Sequence, residues 1–153
     1  MKYVDMDDTI ADLYGYVISK DPNVVENNNW CRIIVENYKE CFLVSDVISE
    51  NLYLLKGEFK LLSSLPGISE MLKYTSLDQI DEIVYTLREN KLKFAERIGV
   101  KREDVIILNK SSEKKLYAKG NILYDDYQKN INEWNANGGT GFLVPRVRYN
   151  RHN

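Results

Sequence analysis

Histidine is nearly missing from this sequence: its single copy, His152, stands one residue before the last. That scarcity removes Ser-His-Asp triads, Cys-His dyads and imidazole-based zinc sites from consideration. Cysteine is scarce too. Cys31 and Cys41 match no zinc-binding spacing and read as two semi-buried thiols, with no structural disulfide expected. No apolar run approaches the roughly 20 residues that cross a bilayer. Met1 leads straight into Lys2-Tyr3-Val4-Asp5 with no room for a signal peptide, so a cytoplasmic location is expected. Nor does charge of one sign dominate: 21 lysines and arginines meet 23 aspartates and glutamates, for a net −2. No broad basic face for extended nucleic acid is expected from this balance, which still leaves room for a local basic pocket. Chemistry in this chain must run on carboxylates, lysines, hydroxyls and any metal they hold.

What is present is an ordinary globular balance, 44% hydrophobic and 29% charged over 153 residues, enough for one domain with a buried core. There is no internal repeat. Tyr3-Val4 reads as a short buried strand opening into the polar run Asp5-Met6-Asp7-Asp8-Thr9. Pro22 and Asn27-Asn28-Asn29 mark irregular backbone, and Trp30, Ile33, Ile34 and Tyr38 recur at helical spacing. A second helix is expected from Asp46 to Lys56, capped by Ser45 and stopped by Gly57. Phe59 to Leu62 reads as a strand running into Ser63-Ser64. The clearest helix follows, from a capping-box spacing at Ser76 and Gln79 through Ile80, Ile83, Val84, Leu87, Phe94, Ala95 and Ile98 to Gly99. Val105–Leu108 and Ile122–Tyr124 are further strands, separated by a helical turn or two from Ser111 to Ala118. A short helix through Ile131 and Trp134 leads to Gly138-Gly139, and Phe142-Leu143-Val144 is expected to close the core. Strands alternating with helices predict an α/β fold with a mostly parallel sheet, whose binding crevice lies beyond the C-terminal strand ends.

Asp5, Ser63, Lys115 and Asp125 all fall at or just after such strand ends. Asp5 and Asp7, joined by Asp125 from a neighbouring strand, can share a hard cation of the Mg2+ type. Such an ion would let a carboxylate nucleophile approach a phosphate otherwise opposed by like charge. Ser63 can donate to a phosphate oxygen, with Ser64 beside it, and Lys115 can add positive charge where charge spreads during transfer. Lys114 is an alternative for that lysine role. Asp125-Asp126, directly after an apolar strand, offers one carboxylate to a metal and another to orient water or cap the next helix.

Taken together, Asp5-Met6-Asp7-Asp8-Thr9, Ser63, Lys115 and Asp125-Asp126 resemble the four motifs of the haloacid dehalogenase superfamily. Lys129-Asn130-Ile131, Trp134 and Gly138-Gly139 are similar to its 5'(3')-deoxyribonucleotidase branch and related phage and bacterial nucleotidase-like proteins. The resemblance spans Tyr3 to Val144. It implies a Rossmann-like core over about residues 1–13 and 57–145, a small helical cap over about 14–56, and a basic tail over 146–153, all in a single domain. It implies a magnesium-dependent phosphomonoesterase acting on a small phosphate ester, with a nucleoside monophosphate as the expected partner and no membrane association. Asp5 would be the nucleophile and a metal ligand. Asp7 would protonate the leaving oxygen, activate water and touch the metal through its carbonyl. Ser63 and Lys115 would hold phosphate, Asp125 would complete the metal site, and Asp126 would support it together with Thr9. Tyr14, Tyr16, Trp30 and Tyr38 in the cap are candidates for stacking on a base, or for packing the cap's own core. Asp8 departs from the pattern, standing where many members carry glycine, and the cap is short. Arg146, Arg148 and Arg151 raise a polynucleotide-end phosphatase as an alternative, and a non-catalytic nucleotide-binding module is another.

Overall fold

Residues 1–146 are described by the computed structural model. In chain order it contains β1 (Lys2–Val4), β2 (Ala11–Asp12), α1 (Leu13–Lys20), α2 (Val24–Asn27), α3 (Trp30–Glu36), β3 (Asp46–Val47) and β4 (Lys60–Ser64). These are followed by α4 (Ile68–Met71), α5 (Leu77–Arg97), β5 (Val105–Leu108), β6 (Ile122–Asp125), α6 (Gln128–Ala136) and β7 (Thr140–Leu143). Short 3-10 helices occupy Ser49–Leu55, Arg102–Asp104 and Ser111–Tyr117.

Five strands form one parallel sheet in the order β5-β4-β1-β6-β7. Side chains alternate across it, as the two-residue pleat requires. Val4, Leu61 and Tyr124 face Phe94, Ala95 and Val100 at the C-terminal half of α5 and just beyond it. Tyr3, Leu62 and Leu123 face the other way, toward Ala118 and α6 through Ile131 and Trp134. Each fully buried side chain of this size contributes about 1.5–3 kcal/mol. Parallel strands need crossovers, and helices on both faces supply them. This bears out the α/β expectation and is compatible with a Rossmann-like arrangement.

Between β1 and β4 lies the inserted segment. The two-stranded antiparallel ribbon of β2 and β3 brings its ends together, and α1, α2 and α3 lie beyond that stem. These helices do not enclose a core of their own. Val17, Val24, Ile33, Ile34, Cys41 and Phe42 share one cluster with Leu65, Met71, Ile80, Ile83 and Leu87 of the main body. Asn90 donates to the carbonyl of Lys39, and Arg97 donates to the carbonyls of Leu43 and Ser45, so α5 also clamps this segment by hydrogen bonds.

Two expectations need correction. The helix expected over Asp46–Lys56 is replaced by strand β3 and a 3-10 helix from Ser49; Ser45 donates to the carbonyl of Cys41 and caps nothing downstream. Pairing with Ala11-Asp12 satisfies the local backbone, overriding the helical spacing. Phe142 and Leu143 do not close the core: β7 is an edge strand and leaves them 45% and 46% exposed, with Val144 the buried member of the trio. Gly139, by contrast, is required where it stands. A Cβ there would overlap the Trp134 indole and the Ala118 carbonyl.

Candidate active site

The chain turns out of β1 at Val4, and the amide of Asp5 still donates to the Tyr124 carbonyl, which continues the ladder by one residue. Asp5 therefore stands where the central strand ends, and β6 delivers Asp125 alongside it. Asp8 makes the turn that follows with φ at +61°, a left-handed conformation that most side chains avoid and that aspartate tolerates. Its Oδ1 accepts from the Tyr14 amide at 2.8 Å.

Lys114 lies at the centre of the site. Its Nζ donates to Asp5 Oδ1 at 2.7 Å and Asp125 Oδ2 at 2.9 Å, with all three side chains buried. Burial alone would lower the pKa of this ammonium, but Asp125 and Asp5 outweigh burial and hold it above the ordinary lysine value. Lys115, expected to hold phosphate, is exposed. The reason is the 3-10 geometry of Ser111–Tyr117: with three residues per turn, 114 shares a side with 111 and 117, and 115 is turned about 120° away.

Asp125 accepts a second side-chain bond from Asn130 Nδ2 at 3.0 Å and a backbone bond from the Tyr127 amide. Burial, and then the charge of Asp5, raise its pKa, with Lys114 opposing. Asp126 is also held well above the usual carboxylate range. Burial is the largest cause, and Asp5, Asp125 and Asp8 add to it, despite the Arg146 guanidinium 2.8 Å away. The Thr9 hydroxyl lies 3.2 Å from both Asp5 Oδ2 and Asp126 Oδ1, and its one proton serves either. Asp5, Asp125 and Asp126 present carboxylate oxygens within 4.8 Å of one another, the group among the described residues suited to a cation.

Asp7 departs from the expected arrangement. Its carboxylate is turned toward Lys91 of α5, whose Nζ donates to Asp7 Oδ2 at 2.7 Å. The other oxygen, Oδ1, is buried without a hydrogen-bond partner, a condition that costs about 1–3 kcal/mol. The third clustered carboxylate beside Asp5 and Asp125 is thus Asp126. Ser63 follows the sheet's alternation onto the α5 face, where its Oγ accepts from Lys91 at 2.7 Å. Ser64, the next residue, lines the cavity instead.

A cavity of about 350 Å³ opens over these groups, within the range of small-molecule sites. Asp5, Asp7, Asp126, Lys110 and Lys114 contribute polar lining, and Leu13, Trp30, Ile34, Phe42 and Leu65 an apolar wall. Of the four cap aromatics, Trp30 lines the cavity. Tyr14, Tyr16 and Tyr38 pack against the cluster that the inserted segment shares with the main body, and the Tyr16 hydroxyl donates to Glu40. Burial above all pushes the Cys31 thiol up to about 11 and the Cys41 thiol up to about 12, which disfavours the thiolate at neutral pH.

Sequence reasoning missed Lys91, Lys110 and the inward turn of Arg146. Lys91 carried a signal. It falls four residues after Leu87 and three before Phe94, inside an apolar helical stripe where a lysine is unexpected. Arg146 carried none, because only tertiary packing sets it against Asp126 and the Tyr127 ring. Arg148 and Arg151 lie outside the described residues. The sequence matches no protein-family model and no curated protein.

Proposed function

We propose that this protein is a phosphomonoesterase that uses Asp5 as its nucleophile and a nucleoside monophosphate as its substrate. One observation carries the reading: Asp5 stands at the C-terminal end of the central strand, bonded to buried Lys114 and grouped with Asp125 and Asp126 beneath a cavity. A carboxylate so placed can attack phosphorus, and the lysine accepts the charge that builds on the phosphoryl oxygens.

Carboxylate oxygens are hard donors, and this set suits magnesium; Asp5, Asp125 and Asp126 would hold the ion. When bound, magnesium supplies positive charge that offsets the repulsion between phosphate and the acidic cluster. The remaining work falls to the chain. Asp5 forms an aspartyl-phosphate, Asp7 gives a proton to the departing alcohol and takes one from the attacking water, and Ser64 with Lys114 orients the phosphate. Trp30 offers an apolar face for a base. Arg146 is engaged with Asp126, which leaves the polynucleotide reading without its first basic residue.

The test is phosphate release from a panel of nucleoside monophosphates with magnesium. Turnover by the wild type and its loss in Asp5→Asn are expected. An inactive wild type, or an Asp5→Asn variant as active as the parent, would sink the proposal.

A further inference from the structure

Lys110, Lys114 and Arg146 are the cationic side chains of the cavity lining, and two of them are already committed to the acidic cluster. Lys114 joins Asp5 and Asp125, and Arg146 meets Asp126. Lys110 is the exception: among the described residues no carboxylate, carbonyl or ring engages its ammonium. We infer that Lys110 is a specificity-determining residue that binds a second phosphate on the alcohol side of the substrate. The preferred ester is then a nucleoside bisphosphate, with monophosphates turned over less well. This rests on the phosphatase reading and narrows its substrate class.

The sheet order sets β5 beside β4 at one edge, so the loops leaving these two strands adjoin at one end of the cavity. The Leu65 amide still donates to the Leu108 carbonyl, which keeps them in step. Pro66 and Gly67 line the cavity from one loop, Lys110 and Ser111 from the other. Arg146 follows β7 at the opposite edge, and the reacting phosphate belongs between them, at Asp5 and Lys114. Ser111 and Lys114 are one 3-10 turn apart, about 6 Å along the axis. Lys110 stands one residue beyond Ser111, exposed where Lys114 is buried. Its charge therefore addresses what projects from the reacting phosphate toward solvent.

The backbone beneath this side chain is tied from both sides. Glu113 Oε1 accepts from the amides of Asn109 and Lys110 at 3.0 and 3.1 Å. Arg88 of α5 donates to the Ile107 carbonyl at 2.7 Å and to Asn109 Oδ1 at 2.8 Å. The root of Lys110 is thus held while its ammonium is left to a ligand. Elsewhere the lining repels a second anion through Asp7, Asp8 and Asp126, or meets it with the apolar wall. Ser111 adds a hydroxyl donor, and Gly67 leaves space, since a Cβ there would meet nothing within 4 Å. In the reaction, Asp5 bonds to phosphorus as the bond to the alcohol oxygen breaks, and the oxygen of water then displaces Asp5. One proton of that water ends on the alcohol and the other stays with the released phosphate. The second phosphate takes no part and leaves with the alcohol.

The experiment measures initial kcat/KM for thymidine 3',5'-bisphosphate and for the 3'- and 5'-monophosphates, with magnesium in excess. The wild type should favour the bisphosphate over the better monophosphate by about five- to tenfold, the range for a charged hydrogen bond partly open to water. In Lys110→Gln that ratio should fall to about one, and Lys110→Arg should restore most of it. Added salt should lower the ratio in the wild type and leave it nearly unmoved in Lys110→Gln, because an exposed charge is screened. A lysine with only a structural role would change all three esters together and leave the ratio alone. A wild type that turns over monophosphates without favouring the bisphosphate, or a ratio unmoved by Lys110→Gln, overturns the inference and leaves the phosphatase reading intact. No turnover of any of the three esters ends both. Should Lys110→Gln not fold, Gly67→Asp decides, because it sets a carboxylate on the neighbouring loop with Lys110 in place. A lowered ratio supports the inference, and an unchanged one overturns it.

Discussion

Lys114 and Lys115 are adjacent in sequence and opposite in circumstance. The first is enclosed between Asp5 and Asp125, and the second is exposed. Removing Lys114 leaves two buried carboxylates facing each other with no compensating charge, a disruption of about 3–5 kcal/mol by analogy with other broken buried pairs. Lys114→Ala is therefore expected to abolish phosphate release and lower the thermal midpoint, and Lys115→Ala to leave both near wild type. Assay and melting of the two variants side by side would decide it, and a silent Lys114→Ala would contradict the site as drawn. Asp126 supports a second expectation. Its pKa is raised in the folded state above the ordinary 3.8, so the folded protein binds more protons than the unfolded chain above that value. The contribution of this group to stability is thus complete below 3.8 and declines as pH rises through the elevated folded value. Without metal, Asp126→Asn should melt higher than the wild type at neutral pH by roughly 2–4 °C, corresponding to about 1 kcal/mol in a chain of this size. The gap should close as pH is lowered toward 4. Acidic groups remote from Asp126 cancel in this comparison, and a gap that widened on acidification would reverse the sign of the assignment.

At the scale of elements, the connection from α6 to β7 depends on how closely Gly139 approaches the Trp134 indole and the Ala118 carbonyl. Gly139→Ala is expected to destabilise by about 1–3 kcal/mol, the usual range for overpacking, and chemical denaturation would measure it. A shift indistinguishable from zero would mean that Trp134 has room to move. Most elements were legible beforehand. The long apolar stripe of α5, the continuous run Val105–Leu108 and the Ile131–Trp134 pair each identify their element from period alone. The exceptions have local causes. Val47 and its neighbours pair with Ala11-Asp12, and no pattern within the segment reports a partner that far away. Phe142 and Leu143 are apolar but lie on an edge strand, where Phe142 stacks on Tyr124 with centroids 5.2 Å apart and the rest meets solvent.

For the whole molecule, the shared cluster between the inserted segment and α5 argues against two independent units. Trp30, Ile34 and Phe42 belong to the same buried set as Ile80, Ile83 and Leu87. Melting should then be a single transition, with calorimetric and van't Hoff enthalpies equal; two resolved transitions would show an insert that folds apart from the body. The four-part acidic and basic pattern of Asp5, Asp7, Asp125 and a lysine near 115 could be read in one dimension, because strand ends are marked by where apolar runs stop. Which side each neighbour faces could not. Ser63 and Ser64 differ by one step of the pleat, and Lys114 and Lys115 by one step of a 3-10 turn, so a shift of a single residue exchanges inside for outside. Composition and periodicity by themselves determined an α/β chain whose carboxylates gather at the ends of its strands. Only the tertiary structure decided which lysine meets Asp5, and that Asp7 is held by a lysine 84 residues away. Such pairings are settled by the close approach of distant segments, and local sequence carries no record of that distance.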